Sequence, residues 1–301
     1  MLRGCLLASI LGLALLPGLA QSQERKETGS DKSLLIGLIP EQNIFKQIER
    51  YTPLTDYLSK KVGVKIRLKV LTRYGNIIDN FASSSLDAAF FGSFTYALAH
   101  TKLGVEVLAR PEALDGSSTY HGLLFVRKDS GIKNVKSMKG KRIAFVDKAT
   151  TAGFLFPVAH LMRHGVTDYK TYFKEVYFTG THDHAILDVL NKRADVGAAK
   201  NTVFERLAQT DTRISQELVV LDKSANVPEN ALAVRRDLDT ALKRLLLDAL
   251  LSMSNRSDGQ TILLNFGAKR FILTADRDYW AVVQYAREIN LDLAKYDYMN
   301  E

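Results

Sequence analysis

From residue 34 onward the chain alternates short apolar runs with longer segments of helical spacing. Residues 34–39 are an apolar run of strand length. Residues 51–61 place apolar side chains at helical intervals, with Pro53 near the first predicted turn and Gly63 as the break. Residues 64–71 alternate as a strand, 77–84 read as helix, 88–91 as a short buried strand, 94–101 as helix and 105–109 as strand. A second set follows: strands over 121–126 and 142–146, helix over 153–164, strand over 175–178, helix over 185–191, strand over 196–199, helix over 203–209 and strand over 218–221. The last seventy or so residues read as mainly helical, over 237–252, 259–266 and 278–290. Such alternation predicts an α/β protein with parallel sheets covered on both faces. Leu86-Asp87-Ala88-Ala89 and Ala194-Asp195-Val196-Gly197-Ala198 each follow an amphipathic segment and lead into a short apolar strand, as two similar lobes would produce.

Composition narrows the setting. With 301 residues, 46% hydrophobic and 25% charged, the chain is long enough for one large domain or two lobes with a buried core, and it is not of disordered type. Its first twenty residues differ from the rest. Arg3 is their only charge, residues 6–16 are apolar, and Gly18 and Ala20 are small residues at cleavage-site positions. This predicts a cleavable signal peptide over 1–20, because a membrane span needs about 20 apolar residues. A polar, disordered leader is expected over 21–33. Cys5 is the single cysteine and precedes the apolar run, so the exported chain is expected to carry no disulfide, no thiolate, no lipid anchor and no cysteine-ligated metal. A large, disulfide-free exported chain points to a bacterial periplasm. The net charge of +8 is scattered, without the basic blocks of a nucleic-acid binder. It either steers anions towards the protein or merely keeps the surface soluble.

The best candidate for chemistry is Asp147-Lys148-Ala149-Thr150-Thr151-Ala152-Gly153, between a predicted strand and the helix after it. A helix N-terminus offers unpaired N–H groups and a positive dipole end to an anion, and Thr150 and Thr151 add hydroxyls. Ala152 and Gly153 allow close backbone approach. The same residues also suit an ordinary threonine N-cap. The G-x-x-x-x-G-K-[ST] spacing of a P-loop is absent. His182-Asp183-His184 opens another helix, where His182 suits an anion better than a metal. His160 and His164 have the spacing of H-E-x-x-H, but Leu161 replaces its glutamate, and both are read as surface or boundary residues. Tyr74, Tyr96 and Tyr120 lie near element ends where a hydroxyl can meet an oxyanion, or where a ring in the core leaves its hydroxyl at the surface. No nucleophile motif, paired carboxylates, metal set or cofactor fingerprint is present.

Taken in order, these segments resemble the phosphonate-binding periplasmic proteins, the substrate-binding components of phosphate, phosphite and phosphonate ABC transporters. The resemblance covers most of residues 34–270. It rests on Tyr51-Thr52-Pro53-Leu54 with Asp56-Tyr57-Leu58, on Asp87-Ala88-Ala89-Phe90-Phe91-Gly92, and on Arg127-Lys128-Asp129-Ser130-Gly131-Ile132. It continues through Met138-Lys139-Gly140-Lys141, Thr151-Ala152-Gly153-Phe154-Leu155-Phe156-Pro157, Gly180-Thr181-His182-Asp183 and Asn201. It implies a type II periplasmic-binding-protein fold, with one lobe over 34–119 and 225–301, a second over 120–224, and a ligand cleft between them.

It also implies a ligand-binding set: the turn Ala149–Ala152 with Thr150 and Thr151, the tyrosines Tyr74 and Tyr120, and His182, with Tyr96 a further candidate. Relatives that bind aminoethylphosphonate receive its ammonium on carboxylates, and the matching positions here are Thr202 and Asn230. This disfavours aminoethylphosphonate and leaves phosphite, phosphate or a small alkylphosphonate, unless Glu41, Asp183 or Glu229 brings a carboxylate into the cleft. The expected protein is a monomeric, non-enzymatic transport receptor without a cofactor, delivering its ligand to an ABC permease. The alternative is a sensor that docks on a membrane histidine kinase. An enzyme on the same fold is a third reading, against which the missing nucleophile and metal set count.

Overall fold

The computed structural model describes residues 33–300. The expected signal peptide and residues 21–32 of the leader lie outside them. The chain begins β1 (Ser33–Leu38), α1 (Ile44–Val62), β2 (Lys65–Val70), α2 (Asn76–Ala82), β3 (Ala88–Phe91), α3 (Ser93–Leu103) and β4 (Glu106–Ala113). It crosses through β5 (Thr119–Tyr120) to β6 (Gly122–Arg127) and β7 (Arg142–Phe145). A single π-helical turn (Thr151–Leu155) runs into α4 (Phe156–Arg163). Then come α5 (Tyr169–Tyr172), β8 (Glu175–Phe178), α6 (His182–Leu190), β9 (Val196–Lys200), α7 (Asn201–Thr210), α8 (Arg213–Glu217) and β10 (Leu218–Lys223). The chain returns through β11 (Val227–Pro228) to β12 (Ala231–Val234), α9 (Thr240–Ser252), α10 (Ser257–Phe266), β13 (Ala268–Leu273) and α11 (Trp280–Glu288).

Two sheets result. The first lobe is built on β13-β4-β12-β3-β1-β2 and the second on β10-β6-β9-β7-β8. The crossing strands β5 and β11 pair antiparallel, with Val227 opposite Tyr120. The expected alternation of strands and helices is present, but the sheets are mixed. β1 is parallel to β2 and β3, and β7 to β8 and β9. β12, β13, β6 and β10 run antiparallel to their neighbours. β12 and β13 were not among the expected strands; β13 falls within the last seventy or so residues, read as mainly helical, and β12 at their start. β12 is inserted between β3 and β4 as the chain returns from the second lobe, so its direction is set by the crossing and not by a local βαβ unit.

Helix α1 shows how the first core forms. Asn43 caps it, its side-chain oxygen accepting from the N–H groups of Phe45 (3.0 Å) and Lys46 (3.4 Å). Tyr51, Leu54, Leu58 and Val62 then share one face at helical spacing, and Gly63 ends the helix in the left-handed region at φ 69°. That face packs on the alternate residues Leu34, Ile36 and Leu38 of β1. Each such buried side chain stabilises the fold by about 1.5–3 kcal/mol. The helix starts well before the predicted residue 51. Pro53 sits inside it on the exposed face, not in its first turn. In the second lobe Leu123 and Phe125 of β6 pack on Ile186, Val189 and Val203, while Leu124 and Val126 face Phe145 and Leu155.

Candidate functional site

The strands of both lobes end at one small cavity. It is lined by Ile39 and Glu41 after β1, Tyr74 before α2, Gly92 and Thr95 at the start of α3, and Asn230 before β12. The second lobe supplies Ala149, Thr150, Thr151, His182 and Lys200, and Tyr120 comes from the crossing strand. This is the crevice beyond the carboxyl ends of strands where open α/β sheets bind ligands. The cavity offers about 10 Å³ to the centre of a water-sized sphere. That is about the room of one water molecule, far below what a drug-sized molecule needs.

Four helical segments point their N-terminal ends at this cavity. They are α3 with Gly92 as cap, the π-turn and α4 with Thr150 as cap, α6 with His182 as first residue, and α7 with Lys200 as cap. Each such end carries roughly half a positive charge and outward N–H groups. Four of them around one small space give it a more positive setting than the single turn legible in the sequence.

The turn after β7 is locked locally. The Asp147 carboxylate accepts from the Ala149 N–H (2.8 Å) and the Asn300 amide (2.9 Å). The Asp147 carbonyl accepts from both the N–H (3.0 Å) and the hydroxyl (2.7 Å) of Thr150. The Thr150 side chain therefore does not cap the helix, and its hydroxyl proton is committed to the turn. Gly153 serves packing and not ligand approach: a Cβ there would overlap Val146 and come within 2.9 Å of Thr150 Oγ1. Gly122 lets β6 lie against this turn, since a Cβ would reach 3.1 Å from Ala152 Cα.

Two buried hydroxyls of the cavity wall, Tyr74 Oη and Thr151 Oγ1, have no hydrogen-bond partner among the described residues. They come from opposite lobes. A buried polar atom without a partner costs about 1–3 kcal/mol, so native chains retain one for a reason. Burial pushes the Tyr74 phenol well above its ordinary value, which keeps it a hydrogen-bond donor. His182 is fully enclosed, and burial lowers its pKa to about 4 against the opposing pull of Glu41. It is thus neutral near pH 7. Its Nδ1 accepts the Lys200 N–H (3.2 Å), which leaves the proton on Nε2.

Lys200 is the residue that sequence reasoning missed. It ends the buried strand β9 and is 2% exposed. Its ammonium lies 2.5 Å from Glu41, pairs also with Glu229, reaches Asn230 Oδ1 at 3.4 Å and sits 4.4 Å from the Tyr120 ring centre. Burial would raise the Glu41 carboxyl, but Lys200 and then Arg206 overturn that and hold it down at about 2. Burial would lower the Lys200 pKa, but Glu229 and Glu41 keep it above the ordinary value. The signal for this residue was a lone lysine ending an otherwise apolar run, which demands a partner once the strand is buried.

Of the eight candidate positions, Tyr74, Tyr120, Thr150, Thr151, His182 and Asn230 line the cavity. Tyr96 does not: its ring packs on Tyr279 at 4.3 Å, and its hydroxyl lies 3.4 Å from His100 Nδ1. Thr202 is one residue into α7 and outside the lining, its hydroxyl buried without a partner among the described residues. Asp183 accepts from the Asn43 N–H at 3.2 Å and is likewise outside the lining. Of the two histidines read as surface or boundary residues, His164 is exposed, whereas His160 is buried, with Nδ1 at 2.5 Å from Asp222.

The two-lobed fold and its enclosed anion-type cavity define a solute-binding protein. The family model for the ABC transporter phosphonate periplasmic substrate-binding protein matches residues 36–279, and the chain belongs to this family. The phosphonates-binding periplasmic protein of Escherichia coli K12 is 26% identical over 280 residues, 92% of this chain and 80% of that one. The phosphate-import protein PhnD of Mycolicibacterium smegmatis is 29% identical over 201 residues, 63% of this chain and 61% of that one. The structure of PhnD1 from Prochlorococcus marinus in complex with methylphosphonate superposes with a TM-score of 0.76 at 24% identity, covering 86% of this chain and 99% of that one. That likeness establishes the type II periplasmic-binding-protein fold. The family is one of periplasmic substrate-binding components of ABC transporters.

Proposed function

We propose that this protein captures a small phosphorus oxyanion (phosphite, phosphate or a small alkylphosphonate) between its lobes and delivers it to an ABC permease, after export through a cleavable signal peptide over 1–20. The observation that carries this reading is the pair of partnerless buried hydroxyls, Tyr74 and Thr151, facing one cavity ringed by four helix N-termini. Hydroxyls, N–H groups and the Nε2–H of His182 are all donors, which suits an acceptor-only tetrahedral anion. The small volume favours a compact ligand over one with a long substituent. The differing names of the relatives, phosphonates, phosphate and methylphosphonate, point to one chemical class.

A thermal-shift screen with phosphate, phosphite, methylphosphonate and sulfate tests the reading. At least one phosphorus anion is expected to raise the melting temperature in a concentration-dependent way, as binding to the folded state requires. A flat response to all three phosphorus anions contradicts it.

A further inference from the structure

Glu41, Glu229, the amide oxygen of Asn230 and the face of the Tyr120 ring converge on a single point. Two carboxylates, a neutral acceptor and an aromatic face are the chemistry of a seat for a primary ammonium. An ammonium has three N–H donors, and the three acceptors here match that number. The occupant of this seat is Lys200, a residue of the chain itself, and Lys200, Glu41 and Asn230 line the same cavity as the hydroxyl pair. With its three donors directed at Glu41, Glu229 and Asn230, the Lys200 ammonium is a counterion to the carboxylates and not a ligand to the anion.

We propose that Lys200 is a specificity-determining residue: it fills from within the place that the ammonium of an aminoalkylphosphonate would take, and so makes the cavity select phosphorus anions without an amine. The proposal rests on the function given above. The carboxylates expected to be missing are thus present, but both are already engaged by the Lys200 ammonium. A ligand that brings its own ammonium finds the seat already filled by a like charge, and stripping water from that ammonium is not offset. Removing the lysine charge reverses both effects. The freed carboxylates attract an ammonium and repel an anion that lacks one.

Calorimetric titration of wild type and Lys200→Ala with phosphite, methylphosphonate, ethylphosphonate and 2-aminoethylphosphonate tests this. Wild type is expected to bind phosphite or methylphosphonate at least tenfold more tightly than 2-aminoethylphosphonate. In Lys200→Ala the affinity for 2-aminoethylphosphonate is expected to rise at least tenfold more than that for ethylphosphonate, which controls for the room the truncation creates. Equal gains for the two, or no gain for the amine in a folded variant, overturn the proposal. So does a wild type that binds the amine as tightly as the best simple anion, a result that needs no variant. Should Lys200→Ala fail to fold, Lys200→Ala/Glu229→Gln leaves one carboxylate, Glu41, and carries the same expectation. A wild type that binds none of the four compounds refutes the parent reading instead.

Discussion

The Lys200 ammonium and the Glu41 carboxylate lie 2.5 Å apart across the two lobes, although 159 residues separate them in the chain. Both are buried, and Gln42 beside Glu41 accepts a second cross-lobe bond from Arg206 at 2.6 Å. Breaking one partner of a buried pair costs about 3–5 kcal/mol. Glu41→Gln leaves Lys200 its bond to Glu229, so the loss is expected near the lower end, about 3 kcal/mol. Urea unfolding at pH 7 measures it; a loss under about 1 kcal/mol would assign the pair to the range of surface ion pairs.

Tyr74→Phe and Thr151→Val are expected to move affinity and stability in different directions. Each removes a hydroxyl that makes no bond among the described residues, so the melting temperature without added ligand stays level or rises. Each also removes a donor to a charged ligand, worth about 1.5–3 kcal/mol, or roughly ten- to hundredfold in affinity. A fall in both quantities would make these hydroxyls structural.

His182 gives the protein an acid-sensitive window. Its pKa is lowered by burial from 6.5 to about 4, so below pH 6.5 the unfolded chain takes up a proton that the folded one refuses. Its contribution is fully present above pH 6.5 and is lost as pH falls through about 4. The loss amounts to about 3 kcal/mol at most, from the size of the shift. In His182→Asn the stability difference between pH 7 and pH 4.5 is expected to shrink, as followed by denaturant unfolding. An unchanged pH slope would show that other groups set it.

The segment after α11 ties the anion turn to the first lobe. Asn300 bonds the Asp147 carboxylate (2.9 Å) and the Lys148 N–H (3.0 Å), Tyr296 donates to the Lys148 carbonyl (3.0 Å), and Tyr298 donates to Asp79 (2.7 Å). Asn300→Ala is expected to cost about 1–3 kcal/mol and to weaken anion binding, because Asp147 shapes the turn through Ala149 and Thr150. Affinity unchanged within twofold would show that the turn holds its shape without the strap.

What the sequence discloses follows the range of the interactions involved. The turn 147–153 and His182 are legible because each needs only a strand, a helix start and polar residues within a few positions. Lys200 is not, because its partners Glu41 and Glu229 are brought to it by the meeting of the lobes, and a lysine before a helix reads locally as a solvated cap. The strands β12 and β13 are hidden for the same reason. Ala231–Val234 is a four-residue apolar run whose strand character comes from neighbours β3 and β4, more than a hundred positions earlier. Tyr96 misleads because its place early in α3 suits either the cavity or the core, and only packing on Tyr279 decides.

The central claim is that a small phosphorus oxyanion sits against Tyr74 of one lobe and Thr151 of the other. Calorimetric titration of wild type and the Tyr74→Phe/Thr151→Val double variant with the best anion from the thermal-shift screen tests it most directly. One site per chain is expected in wild type, with an affinity about a hundredfold or more weaker in a folded double variant. Equal affinities in the two proteins would place the ligand elsewhere and contradict it.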